Sequence, residues 1–371
     1  MDPVAVVGGG IVGASVAYHL AEADVPVTLY ERDALGSGTT ADSVAMFVWK
    51  ATPSASDGTG HRLRTRSWGT YGPLIEDGTL EFSRVGGLYP TGSEDGLERL
   101  RATGAALEEA GVRTELLDPA GLERFGLATD ELVGGLSVPD EGYLDPAEVV
   151  GFLADGARAA GTRVETGTAV TDVFVEGGTV AGVEVGGERV PASGVVNAAG
   201  PWAPAVDAMA GVDLSLRHNR GPILVLDHGM DVDLPFVEFE DGGYVRGEGH
   251  GRAFAGNYGA GYDAADRLDP DAARSVGEAF SLAATDRFER YLPGLTDARV
   301  VTDWVGLRTL TPDGRPFVGA TAVDGYHVAT GMNGLGVTLA PAVGEHLASV
   351  VAPDRSPDAG FRSFLSPSRL G

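Results

Sequence analysis

The chain has 371 residues, of which 43% are hydrophobic, enough to give cores to two domains. Its formal net charge of −26 argues against nucleic acid or an anionic membrane surface as a partner. There is no cysteine, which excludes disulfides, thiolate metal sites, cysteine nucleophiles and a flavin attached through sulfur.

No apolar run approaches the ~20 residues of a membrane span, and a first strand from Pro3 leaves no room for a signal peptide, so a cytoplasmic location is expected. Lys50 is the only lysine among 27 basic residues, set against 53 acids. That balance fits a salt-adapted protein, whose carboxylates are screened in concentrated salt. A GC-rich genome would explain the missing lysines but not the acids. The seven histidines lack metal-ligand spacing, so no metal is expected.

In chain order, "PVAVV" (3–7) is a short β-branched run of the kind that makes a buried parallel strand. Next comes "GGGIVG", then "ASVAYHLAEAD", with Val16, Ala17 and Leu20 at helical spacing, then a second strand, "VPVTLYER". Glu31 stands 18 positions after Gly13. In such a unit Gly8 makes the sharp turn, Gly10 lets the backbone approach a pyrophosphate, and Gly13 lets helix and strand pack closely. Ile11 and Val12 open the helix, whose N–H groups and positive dipole end face the phosphates. Glu31 can accept hydrogen bonds from a ribose and would repel a 2′-phosphate. The unit points to a dinucleotide site rather than a plain turn, and leaves FAD and NAD both open.

Further on, residues 94–110 have the pattern of an exposed amphipathic helix. "DPAEVVGFLADGARAAG" (145–161) is a better marked helix, with Asp145 as N-cap, Pro146 at N1 and Gly161 at the C-terminus. Strands with glycine-pair turns follow over 162–190, and "ASGVVNAAGPWA" is a buried strand running into a glycine turn. Residues 216–262 are rich in short strands, 271–294 are expected to form a helix stopped at Pro293, and a last helix is expected from near Thr338. The chain shows no internal repeat and no linker.

Five stretches, "VVGGGIVGASVAYHLAEADVPVTLYER", "GSGTTADSVA", "VVNAAGPWA", "WVGLRTLTPDGRPFVG" and "ATGMNGLGVTLAPAVGEHLA", together resemble the D-amino acid oxidase superfamily of FAD-dependent oxidoreductases, which includes glycine oxidase, sarcosine oxidase and dimethylglycine dehydrogenase. The resemblance implies an α/β fold. Its Rossmann-like FAD-binding domain would comprise 1–82, 143–210 and 306–371, and a substrate domain on a mixed, mostly antiparallel sheet would comprise 83–142 and 211–305. It places Gly8, Gly10, Gly13, Glu31 and Arg32 at the ADP half and Gly38, Thr39 and Thr40 along the pyrophosphate and ribityl chain. Val170 falls at adenine, with Ala199, Gly200 and Trp202 beside the cofactor. By themselves Val170 is a plain strand residue, and Thr39 and Thr40 are equally helix caps. Asn333, Gly334 and Leu335 would form the loop at the flavin, and the N–H groups of Gly336, Val337 and Thr338 would face its N1/C2 edge. Some relatives attach FAD through a cysteine in the C-terminal part or a histidine just after the "GTT" stretch. This chain has neither, so noncovalent FAD is implied. It also carries "GLRT" for the family's "GLRP", and Asp24 where glycine is usual.

Arg308 corresponds to the family's carboxylate-binding arginine, although a structural ion pair would also account for it. Tyr244 and Arg246, two apart on a strand, share one face and are further substrate candidates. Lys50, retained where every other lysine is lost, would be either a compact cation near the flavin or a lone surface residue. The expected function is oxidation of the C–N bond of a small amino acid or N-methylated amine. Alternatives are a 2-hydroxy acid substrate, the flavin subunit of a heteromeric dehydrogenase passing electrons to a partner protein, and cofactor binding without catalysis.

Overall fold

The valine run Val4–Val7 is buried at all four positions and pairs in parallel with Val27–Tyr30 on one side and Gly194–Asn197 on the other. The computed structural model describes residues 2–50, 58–229, 233–352 and 354–370. Among these, strands form four sheets. The first has the order Phe317–Ala320, Tyr326–Thr330, Gly194–Asn197, Val4–Val7, Val27–Tyr30, Arg163–Glu165 and is parallel except for its first pair. Three helices cover it: Ile11–Ala21, Pro146–Ala159 and Gly336–Val351. Gly344 allows the first and last to meet closely, since a Cβ there would lie 2.4 Å from Ser15 Oγ. Asp145 caps the middle helix by accepting from the N–H groups of Ala147 (2.7 Å) and Glu148 (3.2 Å).

The largest sheet has eight strands, beginning with Arg299–Leu310, Arg217–Asp227, Arg252–Asn257, Gly243–Gly249 and Phe236–Glu238. It is antiparallel except where Phe236–Glu238 runs parallel to Gly87–Thr91. One face buries Val237, Val245 and Leu224 under the helix Glu278–Tyr291. The other face, with Ile223, Phe236 and Tyr244, packs toward Met46–Trp49. A small sheet joins Met46–Phe47, Gly142–Leu144 and Phe82–Ser83, and its Phe47 and Leu144 belong to the same core as Ile223 and Phe236 of the eight-stranded sheet.

Several expectations are corrected. Residues 271–277 are not helical, and the helix begins at Glu278. The Arg274 guanidinium donates instead to the carbonyls of Val305 and Pro270, fastening the segment in irregular form. The last helix starts at Gly336, two residues earlier than expected. A long helix, Thr59–Glu76, escaped the periodicity because its buried positions include Gly60, Arg64 and Ser67, which read as polar or small. The expected boundary at 305/306 falls inside the continuous strand Arg299–Leu310, and those at 82/83 and 142/143 touch strands of the small sheet. Asp24 adopts the left-handed conformation (φ 56) that the usual glycine would supply. Among the described residues no helix is long and apolar enough to cross a membrane, and no group of acids and histidines is arranged to hold a metal.

Candidate active site

One cavity runs between the two large sheets, with about 460 Å³ open to the centre of a water molecule. It starts at the glycine turn. Gly8 has φ +106, and a Cβ there would meet the Ala198 carbonyl oxygen at 2.7 Å. A Cβ on Gly13 would lie 1.8 Å from the Gly8 oxygen, so this glycine sits behind the cavity and sets the helix-to-strand distance. Gly10 differs: its Cβ would meet only Thr40 Oγ1, at 3.1 Å, so bareness here keeps the cavity clear rather than relieving a protein clash.

Beside this turn the Glu31 carboxylate lines the cavity and accepts from the N–H groups of Gly9 (2.6 Å) and Asp33 (2.7 Å). Those two bonds aim it while leaving lone pairs for a ligand hydroxyl. Arg32 lies over the Trp202 ring at 4.6 Å, and both line the cavity with Val170, Ala199 and Gly200. Gly38, Thr39 and Thr40 form the next stretch of wall. Thr40 Oγ1 accepts from Ile11 N–H (3.1 Å) at the helix start, and Thr39 Oγ1 donates to the Leu307 carbonyl (3.0 Å), tying the loop to the eight-stranded sheet. Val12 also lines this part.

At the far end the wall combines Met46, Val48, Phe236, Tyr244, Tyr258 and Arg308. The Tyr244 ring lies 5.6 Å from Phe236 and 5.2 Å from Tyr258. Arg308 donates to the backbone carbonyls of Tyr258 (2.8 Å) and Asn257, and its guanidinium sits 5.1 Å from the Tyr258 ring. Gly221 and Gly334 make room for it, since Cβ atoms there would approach the Arg308 side chain to 2.8 and 3.0 Å. The 331–337 loop closes this end. Asn333 turns it with φ 52, accepting from Thr311 N–H (3.0 Å) and donating to the Gly331 carbonyl (2.6 Å), while Gly334, Leu335, Gly336 and Val337 also face the cavity.

Besides Gly13, three expected site residues lie off the cavity wall. Thr338 is buried behind the wall, where its hydroxyl donates to the Met46 carbonyl (3.0 Å) and accepts from Val48 N–H (3.3 Å). Arg246 shares a strand face with Tyr244, but its guanidinium is buried between Tyr143 (3.8 Å) and Phe254 (4.7 Å), bonded to the Val44 carbonyl and paired with Glu248. Burial lowers its pKa to about 10. Lys50 stands one layer back from the cavity. Its ammonium pairs with Glu238 at 2.8 Å over the Tyr89 ring at 3.8 Å, and Glu238 accepts in turn from the Tyr258 hydroxyl at 3.3 Å. The same segment is held by Glu141, which is fully buried and accepts from Trp49 N–H (2.7 Å), Lys50 N–H (3.0 Å) and the Tyr89 hydroxyl (2.5 Å). Burial pushes the Glu141 carboxyl up to about 7 against those three donors. Sequence reasoning missed Tyr258, Phe236 and Asp42. Asp42 is a cavity-lining carboxyl raised above its ordinary range by burial, and no spacing in the sequence marks any of the three.

A family model described as FAD dependent oxidoreductase matches residues 3–350. The chain is 29% identical over 372 residues to the mitochondrial sarcosine dehydrogenase of Homo sapiens, covering 93% of this chain and 39% of the relative. It is 30% identical over 370 residues to the formaldehyde-forming 4-methylaminobutanoate oxidase of Paenarthrobacter nicotinovorans, covering 93% and 43%. It thus spans about two-fifths of the length of these relatives. Its fold is that of the L-proline dehydrogenase structure from P. horikoshii, with a TM-score of 0.87 over 100% of this chain and 97% of that one, at 23% identity.

Proposed function

The chain belongs to the FAD dependent oxidoreductase family, with FAD as its cofactor, and on that premise we propose that it oxidises the C–N bond of a small amino acid or N-methylated amine. The cavity suits the group. Bare glycines cradle its start, Glu31 is positioned for a ribose, and the helix beginning at Gly336 presents its N-terminus at the far end. Bound there, FAD supplies the acceptor for the hydride leaving the substrate carbon. In this reading the unit built on the six-stranded sheet holds FAD, and the unit built on the eight-stranded sheet closes over the substrate while lending Arg308 from a strand that crosses the boundary. No cysteine or histidine is among the described residues lining the cavity, which supports noncovalent attachment.

The observation that carries the proposal is Arg308 beside Phe236, Tyr244 and Tyr258 on one wall. Its bonds to the carbonyls of Tyr258 and Asn257 occupy two of the guanidinium's five N–H donors, leaving donors for a carboxylate. The electron-rich faces of the aromatic cluster suit an ammonium or methylammonium group. Sarcosine and 4-methylaminobutanoate, named for two relatives, each join a carboxylate to an N-methylamine. The low-dielectric wall strengthens both contacts and excludes water from the reacting carbon.

The test is a screen of amino acids, N-methylamines and 2-hydroxy acids in molar salt, with oxygen and an artificial dye as alternative acceptors. Amine turnover is expected, and Arg308→Ala, with FAD still bound, should raise KM for carboxylate substrates at least tenfold, as losing a charge-assisted pair of roughly 1.5–3 kcal/mol requires. Turnover of hydroxy acids alone, or an unchanged KM, overturns the assignment. Activity with dye but not oxygen points to a partner protein as acceptor.

A further inference from the structure

Residues 266–277 form an irregular strap from the substrate side of the molecule, and its fastenings are specific. Leu268 N–H donates to His218 Nδ1 (3.1 Å), Arg267 reaches Asp213 (2.6 Å) and the Leu214 carbonyl (3.0 Å), and Arg274 holds the Val305 carbonyl (3.2 Å). Between these anchors the Asp271 carboxylate accepts from Trp202 Nε1, 3.1 Å from each oxygen, and from Arg32 Nη1 at 3.0 Å. Trp202 and Arg32 are stacked on one another and line the cavity at its dinucleotide end. Trp202 also lies 3.5 Å from where a Gly38 Cβ would stand, so indole, guanidinium and phosphate-side loop form one layered wall.

We propose that Asp271 is a positioning residue for FAD: it locks Arg32 and Trp202 into that wall, and the 266–277 strap has to part from the wall before the cofactor leaves. The Arg32 guanidinium is also held through its Nε by Asp33 (3.0 Å), whereas the single N–H donor of the indole is spent on Asp271, so this carboxylate is the group that fastens guanidinium and indole to each other and to the strap. Asp271 acts through both at once, joining a loop of the substrate side to the cofactor's adenosine end. The inference rests on FAD being the cofactor and not on the identity of the substrate.

The experiment follows FAD release from the purified holoprotein by the rise in flavin fluorescence on dilution, for wild type, Asp271→Ala and Asp271→Asn. Asp271→Ala should release FAD roughly tenfold faster, the size expected for loss of a charged hydrogen-bond acceptor. Asp271→Asn keeps an acceptor for Trp202 without the charge and should fall between. Trypsin gives a second readout, since Arg267 and Arg274 are cleavage sites within the strap. FAD should protect them in the wild type and protect them less in Asp271→Ala. Release rates within twofold of wild type, slower release from a freed Arg32, or cleavage indifferent to FAD would overturn the proposal. No substrate is used, so these results stand apart from the fate of the amine assignment.

Discussion

At the glycine-turn end of the cavity, Gly8, Gly13 and Glu31 come from a single strand–turn–helix–strand stretch, and the contacts that matter are backbone contacts. At the aromatic end, Phe236, Tyr244 and Tyr258 come from three successive segments of the eight-stranded sheet and Arg308 from a strand fifty residues further on; the rings are set by packing on one another and through Glu238 and Lys50, and Arg308 by the carbonyls of Tyr258 and Asn257. The first kind of site tolerates almost no added atom, because a backbone oxygen has nowhere to move. The second absorbs a change and passes on a fraction of it.

The sharpest way to break this comparison is Gly13→Val. With a Cβ 1.8 Å from the Gly8 oxygen the turn cannot keep its shape, so the purified variant should carry essentially no flavin, measured as absorbance per protein. Gly10→Ala meets only a hydroxyl at 3.1 Å and should fold while binding FAD more weakly. Normal flavin content in Gly13→Val would mean that the turn is not rigid.

A smaller effect is expected at Glu141, which fastens Trp49 and Lys50 between the two ends. Its folded pKa, about 7, lies above the ordinary carboxylate value, so the folded protein keeps a proton that the unfolded chain gives up. The stability from this group is therefore complete below the unfolded pKa and is lost as pH rises to about 7. The loss is of the order of 3 kcal/mol. Denaturant midpoints should fall over that range in the wild type and much less in Glu141→Gln. Equal slopes in the two proteins would remove Glu141 as the cause.

The smallest effect is expected at Lys50, whose partly exposed pair with Glu238 reaches the cavity only through Tyr258. Lys50→Met should raise KM for a carboxylate substrate about twofold, a fraction of an ion pair of roughly 1 kcal/mol, with FAD content unchanged and Lys50→Arg restoring part of the loss. Anaerobic reduction and reoxidation by oxygen, compared in the same variants, show whether the ammonium also acts on the chemistry. If neither KM nor these rates move, Lys50 serves packing alone.

The unevenness between the two ends also governs what was legible. The buried valine strand, the glycine turn, Glu31, the Asp145 cap and the closing helix follow from steric rules and periodicities that operate within a few residues. Arg308 and Tyr244 were named from the sequence and line the cavity, but their neighbours were not readable. Arg246, two positions from Tyr244 on the same strand face, is buried between Tyr143 and Phe254, rings contributed by other strands.

The sequence by itself therefore determined the elements whose information is local: where the chain turns, which helix starts at a glycine and which strand is buried on both faces. Only the tertiary structure decided that Thr338 backs Met46 and Val48, that residues 271–277 leave helical form to reach Trp202 and Val305, and that Tyr258 and Phe236 stand beside Arg308. The reason is the pairing of the eight-stranded sheet, in which Arg217–Asp227 lies between Arg299–Leu310 and Arg252–Asn257. Alternation along a strand fixes which face a side chain takes, whereas its neighbour on that face depends on which distant strand is paired alongside and in what register.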